Sequence, residues 1–219
     1  ADLLALETVV VSGTAGLKLN GAEDNTLISV NTTATTGAVT ASILGTKATY
    51  TGGAGVDTVT VTNAVSNAIS KAIDLGAGDD KLILAGAAGA VKVPTVELKG
   101  GAGTDTLSID AASADTLGGG VLFAGKVTGF EKLELTAAAT NDVNVEKLGN
   151  YNYVISNSVS GTVAALTITN LANNGTLEIA NGGGTNTSHV VAIKDAATGA
   201  ADNLNIVVNN TGAASSTLA

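Results

Sequence analysis

Apolar and polar residues alternate in short runs along most of this chain. Thr58–Val61, Lys81–Leu84 and Thr106–Ile109 each place every second residue among Val, Leu and Ile. A period of two puts that set on one face of a β-strand. Runs of similar character are Glu7–Val11, Thr26–Val30, Ala38–Ile43 and Val91–Leu98, then Glu131–Thr136, Asp142–Val145, Asn152–Ile155, Val163–Thr169, Thr176–Ala180, His189–Ile193 and Asn203–Val208. The stretches between them are rich in Gly, Asn, Ala and Thr, the composition of turns. In the second half the strand starts recur roughly every 10 to 14 residues, so two strands make one coil. One segment reads two ways. Val65, Ala68, Ile69, Ala72 and Ile73 fall at helical spacing, whereas strict alternation from Val59 to Leu75 would turn Asn63, Asn67 and Lys71 to the apolar side. A strand broken by a turn is the reading adopted, with a short helix as its rival.

Three glycine-aspartate loops punctuate the first half. Gly52-Gly53-Ala54-Gly55-Val56-Asp57-Thr58-Val59-Thr60 and Gly100-Gly101-Ala102-Gly103-Thr104-Asp105-Thr106-Leu107-Ser108 share the nonapeptide pattern G-G-x-G-x-D-x-U-x. Gly76-Ala77-Gly78-Asp79-Asp80-Lys81-Leu82 follows it too, with Leu75 in place of the first glycine. Asp57 and Asp80 lie 23 residues apart, Asp80 and Asp105 25 apart. Aligned on these aspartates, the position two residues later holds Val59, Leu82 and Leu107, and four later Val61, Leu84 and Ile109. Seven residues earlier stand Tyr50, Ile73 and Leu98. The same side of each coil is thus apolar three times over, the signature of a solenoid.

The loops also carry candidate chemistry. Glycine lets the chain turn sharply and bare its carbonyl oxygens. Calcium takes 6–8 oxygen ligands from carboxylates and carbonyls. One loop offers about half such a shell and two stacked loops a whole one, so an ion between successive coils is expected, each aspartate serving the seam. Asp74 and Asp79 read as solvated rather than ligating, though Asp74 could lend a further oxygen. Asn20–Leu27, with Asn at the aspartate position, and Asp115-Thr116-Leu117 and Asp202-Asn203-Leu204 read as structural turns.

Composition fits this picture. The chain has 219 residues but only two Phe, three Tyr and no Trp, so Val, Leu, Ile, Ala and Thr must build thin β layers. Its single proline, Pro94, interrupts little. A net charge of −9 argues against nucleic acid and against anionic membrane surfaces. Without Cys there are no disulfides, and a bound ion would do their work. No run of 18 apolar residues suggests a transmembrane helix. The start lacks a basic leader and an initiator Met, so a processed product or an excerpt of a longer protein is expected. No catalytic constellation is visible: the lone His189 reads as an exposed strand residue, Gly182-Gly183-Gly184 as a turn, and no phosphate loop or H-E-x-x-H motif occurs. A non-enzymatic role is expected.

The two full nonapeptides and the Asp74–Asp80 variant resemble those of the RTX superfamily. Val127-Thr128-Gly129-Phe130-Glu131-Lys132-Leu133-Glu134-Leu135-Thr136, with Leu6–Val11 as a looser copy, resembles a strand motif of bacterial surface-layer proteins of the Caulobacter and Campylobacter type. The resemblance implies an all-β, parallel β-solenoid with calcium-binding loops at its coil edges. One such solenoid would span 1–219, with the calcium-binding coils at about 48–110. The implied ligands to Ca2+ are Asp57, Asp80 and Asp105, together with backbone carbonyls at Gly52, Gly53, Ala54, Gly55, Gly76, Ala77, Gly78, Gly100, Gly101, Ala102 and Gly103. Uninterrupted nonapeptides would give about 18 residues per coil; the longer spacing here implies one ion-binding edge per coil. The resemblance further implies type I secretion, a place at the bacterial cell surface, self-association into a two-dimensional lattice, and anchoring to outer-membrane polysaccharide through another domain. A spacer of a large secreted RTX adhesin and the calcium-binding tail of a secreted enzyme are the alternatives.

Overall fold

A computed structural model describes residues 6–19, 26–62, 67–120, 122–137, 141–157, 165–181, 188–198, 201–209 and 217–218. The chain is an all-β parallel β-solenoid, as its alternating runs and coil-length spacing predict. The strands run β1 (Thr8–Gly13), β2 (Leu17–Leu19), β3 (Ser29–Thr35), β4 (Val39–Leu44), β5 (Thr49–Thr51), β6 (Thr58–Thr62), β7 (Ile73–Asp74), β8 (Lys81–Leu84), β9 (Leu98–Lys99) and β10 (Thr106–Asp110). Helix α1 (Ala111–Gly118) follows, then β11 (Val127–Thr128), β12 (Lys132–Thr136), β13 (Asn141–Asn144) and helix α2 (Val145–Leu148). The chain continues through β14 (Tyr153–Asn157), β15 (Ala165–Leu171), β16 (Gly175–Asn181), β17 (Ser188–Ile193), β18 (Leu204–Val208) and β19 (Thr217–Leu218). The chain divides into two compact units, Ala1–Leu107 with Lys126–Phe130, and Ser108–Gly125 with Glu131–Ala219.

In the first unit one parallel sheet has the order β1-β3-β5-β7-β9-β11, and β2, β4, β6 and β8 lie side by side in another. Alternate strands pair because each coil contributes one strand to each sheet. The register stacks like on like: Tyr50 faces Ile73, and Ile73 faces Leu98. Val59 pairs with Leu82 and Val61 with Leu84. All seven are buried, so the apolar positions aligned on the aspartates do share the interior.

The second unit repeats the scheme with β12-β14-β16-β18 and β13-β15-β17-β19, again all parallel. Leu133, Val154 and Leu177 stack in its core. Two helices that the alternation does not announce belong to it. Asp110 caps α1 by accepting the Ser113 N–H at 2.8 Å. Asn144 caps α2 through the Lys147 N–H at 3.3 Å, so the strand expected over 142–145 stops one residue early. Asp115, read as part of a turn, lies inside α1.

Other expectations shift for local reasons. Val91–Leu98 is strand only from Leu98, because Pro94 cannot donate to a ladder and the Thr95 N–H turns to the Ile69 carbonyl. Thr26–Val30 becomes strand only at Ser29. Between β6 and β7 the described residues form no helix; the Ser70 and Lys71 N–H groups both reach the Gly45 carbonyl in an irregular turn. Residues 63–66, 20–25 and 182–184 lie outside the described residues. His189 is not the exposed residue the sequence suggested. It is 1% exposed, because pairing with Leu166 points it inward, where its Nε2 lies 2.8 Å from the buried Ser156 Oγ. Among the described residues no helix is long and apolar enough to cross a membrane.

Candidate functional site

The three glycine-aspartate loops form the turns β5–β6, β7–β8 and β9–β10, and they stack on one another inside the first unit. The Ala77 N–H donates to the Gly53 carbonyl at 2.8 Å, and the Ala102 N–H to the Gly76 carbonyl at 2.9 Å. At the first position of the loop, Gly52 donates to the Asp74 carbonyl at 2.7 Å, Leu75 to Lys99 at 3.0 Å and Gly100 to Thr128 at 3.0 Å. Backbone therefore lies directly on backbone, with no room for a Cβ at the glycines that face the neighbouring coil. A Cβ on Gly52 would come 1.6 Å from the Leu75 carbonyl oxygen. Gly101 has φ +113°, and a Cβ there would meet the Gly76 carbonyl oxygen at 2.0 Å. Leu75 fits where glycine was expected because its side chain turns fully into the core.

This stacking changes the role expected of the carbonyls. Those of Gly53 and Gly76 are not bared but spent on the next coil's N–H groups. The Gly55 and Gly78 carbonyls lean instead against the glycines one coil on: a Cβ at Gly78 or Gly103 would stand 2.5 and 1.9 Å from them.

Asp57, Asp80 and Asp105 form a buried column, at most 1% exposed. The Asp57 N–H donates to Asp80 Oδ1 at 2.6 Å, and the Asp80 N–H to Asp105 Oδ1 at 2.8 Å. The Val39 N–H completes the series, donating to Asp57 Oδ1 at 3.0 Å. Each aspartate thus caps the backbone of the coil before it. The second oxygens differ. Asp57 Oδ2 accepts the Tyr50 hydroxyl at 2.8 Å. Asp80 Oδ2 is buried without a hydrogen-bond partner. Sequence reasoning brought the three aspartates together correctly and missed Tyr50. The signal was the −7 position, where Tyr gives way to Ile73 and Leu98. Asp74 and Asp79 brace the loops from the rim: Asp74 Oδ1 accepts the Gly76 N–H at 3.2 Å, and Asp79 Oδ1 accepts the Thr104 N–H at 2.9 Å.

The column concentrates negative charge out of water. Burial pushes the Asp80 carboxyl up to about 7, against the Asp57 N–H, which holds it down; the carboxylates of Asp57, Asp105 and Asp79 push the same way as burial. Burial also raises Asp57, opposed by the Tyr50 hydroxyl and by the Val39 and Gly53 backbone. The donors fit a hard cation in kind, since all are oxygens and one buried carboxylate oxygen lacks a donor. Among the described residues no cluster of three acidic or histidine side chains could hold a metal alone, so an ion here must draw on carbonyls as well.

A pH dependence follows. Asp80 keeps its proton up to about pH 7 when folded but releases it near 4 when unfolded. Its contribution to stability is therefore fully present below about pH 4 and is lost as pH rises through about 7. In chelator, the Tm advantage of Asp80→Asn over the parent chain is expected to grow across that window. A difference that stays flat, or shrinks, would contradict the buried acid.

No protein-family model, curated protein or solved structure matches this chain.

Proposed function

We propose that this chain is a structural module of a bacterial surface layer, a β-solenoid stapled by calcium at its stacked glycine-aspartate loops. The observation that carries the reading is the buried aspartate column in which Asp80 Oδ2 has no donor. Asp80 and Asp105, with the carbonyls that the stacking leaves to the loops, those of Ala77, Gly78, Gly100, Gly101 and Gly103, would hold the ion; the Gly76 and Ala102 carbonyls are taken by N–H groups of the neighbouring coil. When bound, calcium supplies the positive charge that buried carboxylates require. The residues supply the rest: the loops fix the coil spacing, and the aspartates tie each coil to its predecessor through the N–H bonds. The absence of cysteine supports the reading, because an ion then replaces covalent staples. So does the surface-layer-like strand motif around Glu131–Thr136. The place of action would be outside the cell, where calcium is plentiful.

Electron microscopy of the purified chain in millimolar calcium tests this. Ordered two-dimensional sheets that dissolve on chelation are the expected result. Isolated rods in calcium would instead favour a spacer within an adhesin and count against the lattice.

A further inference from the structure

We propose that Tyr50 is a built-in terminator of the cation row, its hydroxyl occupying the carboxylate oxygen of Asp57 that an ion would otherwise engage. This inference rests on the calcium reading above and deepens it by saying where the row begins.

One register position recurs in three coils. Tyr50, Ile73 and Leu98 are partners in adjacent parallel strands, so they occupy equivalent places. Each lies seven residues before its coil's aspartate. Only the first carries a polar group. The Tyr50 hydroxyl donates to Asp57 Oδ2 at 2.8 Å, and the Thr32 Oγ lies 3.4 Å from that hydroxyl while also donating to the Thr51 carbonyl at 3.2 Å. Thr32, Tyr50 and Asp57 are all buried, so water does not compete for these bonds. Asp57 Oδ1 is engaged as well, by the Val39 N–H. Both oxygens of Asp57 therefore have protein donors.

One coil on, the Asp80 carboxylate receives the Asp57 N–H on Oδ1 in the same way, but Ile73 offers nothing to its second oxygen. The coil before Asp57 offers no partner carboxylate either: Val59 pairs with Ala41, which places Val39 at the level of the aspartate. A hydroxyl is the neutral answer to a buried carboxylate oxygen, and a cation is the charged one. The first coil uses the hydroxyl, and the row of ions starts at Asp80.

Calorimetric titration of CaCl2 into the full chain and its variants tests this. Tyr50→Phe removes only the hydroxyl and leaves the ring in the core. It is expected to bind one more calcium per chain than the parent, and Tyr50→Phe combined with Asp57→Asn is expected to return to the parental number. A Tyr50→Phe chain with the parental stoichiometry would overturn the terminator role while leaving the calcium reading intact. A parent chain that takes up no calcium would overturn both. The parent itself gives a second measurement that needs no variant. The buried Tyr50 hydroxyl proton should persist as a slowly exchanging NMR resonance through calcium saturation. Its loss on adding calcium would show the ion displacing the hydroxyl, and would overturn the proposal.

Discussion

Exchanging Gly101 for alanine is expected to destabilise the chain by about 3–5 kcal/mol, because backbone strain and a steric clash add at one residue. Two costs meet at this residue. Its φ of +113° lies where L side chains are strained, and its new methyl would stand 2.0 Å from the Gly76 carbonyl oxygen. Gly13 separates the two. It has a similar φ of +104°, but a methyl added there would meet nothing within 4 Å, so Gly13→Ala should cost only about 1–2 kcal/mol. Urea unfolding of both variants, in chelator so that ion binding does not intrude, measures the difference. Equal losses would mean that coil-on-coil contact at the loops contributes little, and the fold would owe its loop glycines to backbone angle alone.

On the calcium reading proposed above, chelation is expected to have the next largest effect, and to act locally first. An ion that binds only the folded chain adds about 2.7 kcal/mol per site at a hundred times its Kd. Hydrogen exchange with and without chelator should show residues 50–110 losing protection before the rest, and unchanged protection there would count against ion stapling. Within that region Asp80→Ala is expected to weaken calcium uptake more than Asp57→Ala. Asp80 stands between two other aspartates of the column and has an oxygen without a donor. Asp57 is already held by Val39 and Tyr50. A titration in which Asp57→Ala does the greater damage would discard the arrangement.

The sequence was most legible where period-two alternation ran for four residues or more. Lys81–Leu84 is β8 to the residue, and Thr58–Val61 and Thr106–Ile109 each fall one short. The strands it hid are brief: β2 and β5 have three residues each and β19 two, too few to show a period, and they are strands because neighbouring coils pair with them. The helices were legible in principle through their caps, Asp110 before an alanine-rich stretch and Asn144 before Val-Glu-Lys-Leu-Gly. His189 was misplaced because alternation gives two faces without saying which is inner; only the pairing with Leu166 decides that. At the candidate site, the spacing of the aspartates revealed that they align. It did not reveal that their oxygens take backbone N–H groups, because that depends on side-chain direction across coils.

The aspartate column has a polarity with consequences for how the chain matures. Three successive amides along it are satisfied by a carboxylate that comes later: Val39 by Asp57, Asp57 by Asp80, Asp80 by Asp105, at separations of 18, 23 and 25 residues. A polypeptide emerging from its N-terminal end therefore makes each donor before the acceptor exists. Its newest rung stays open until a further winding has been synthesised, so closure trails elongation by one full turn.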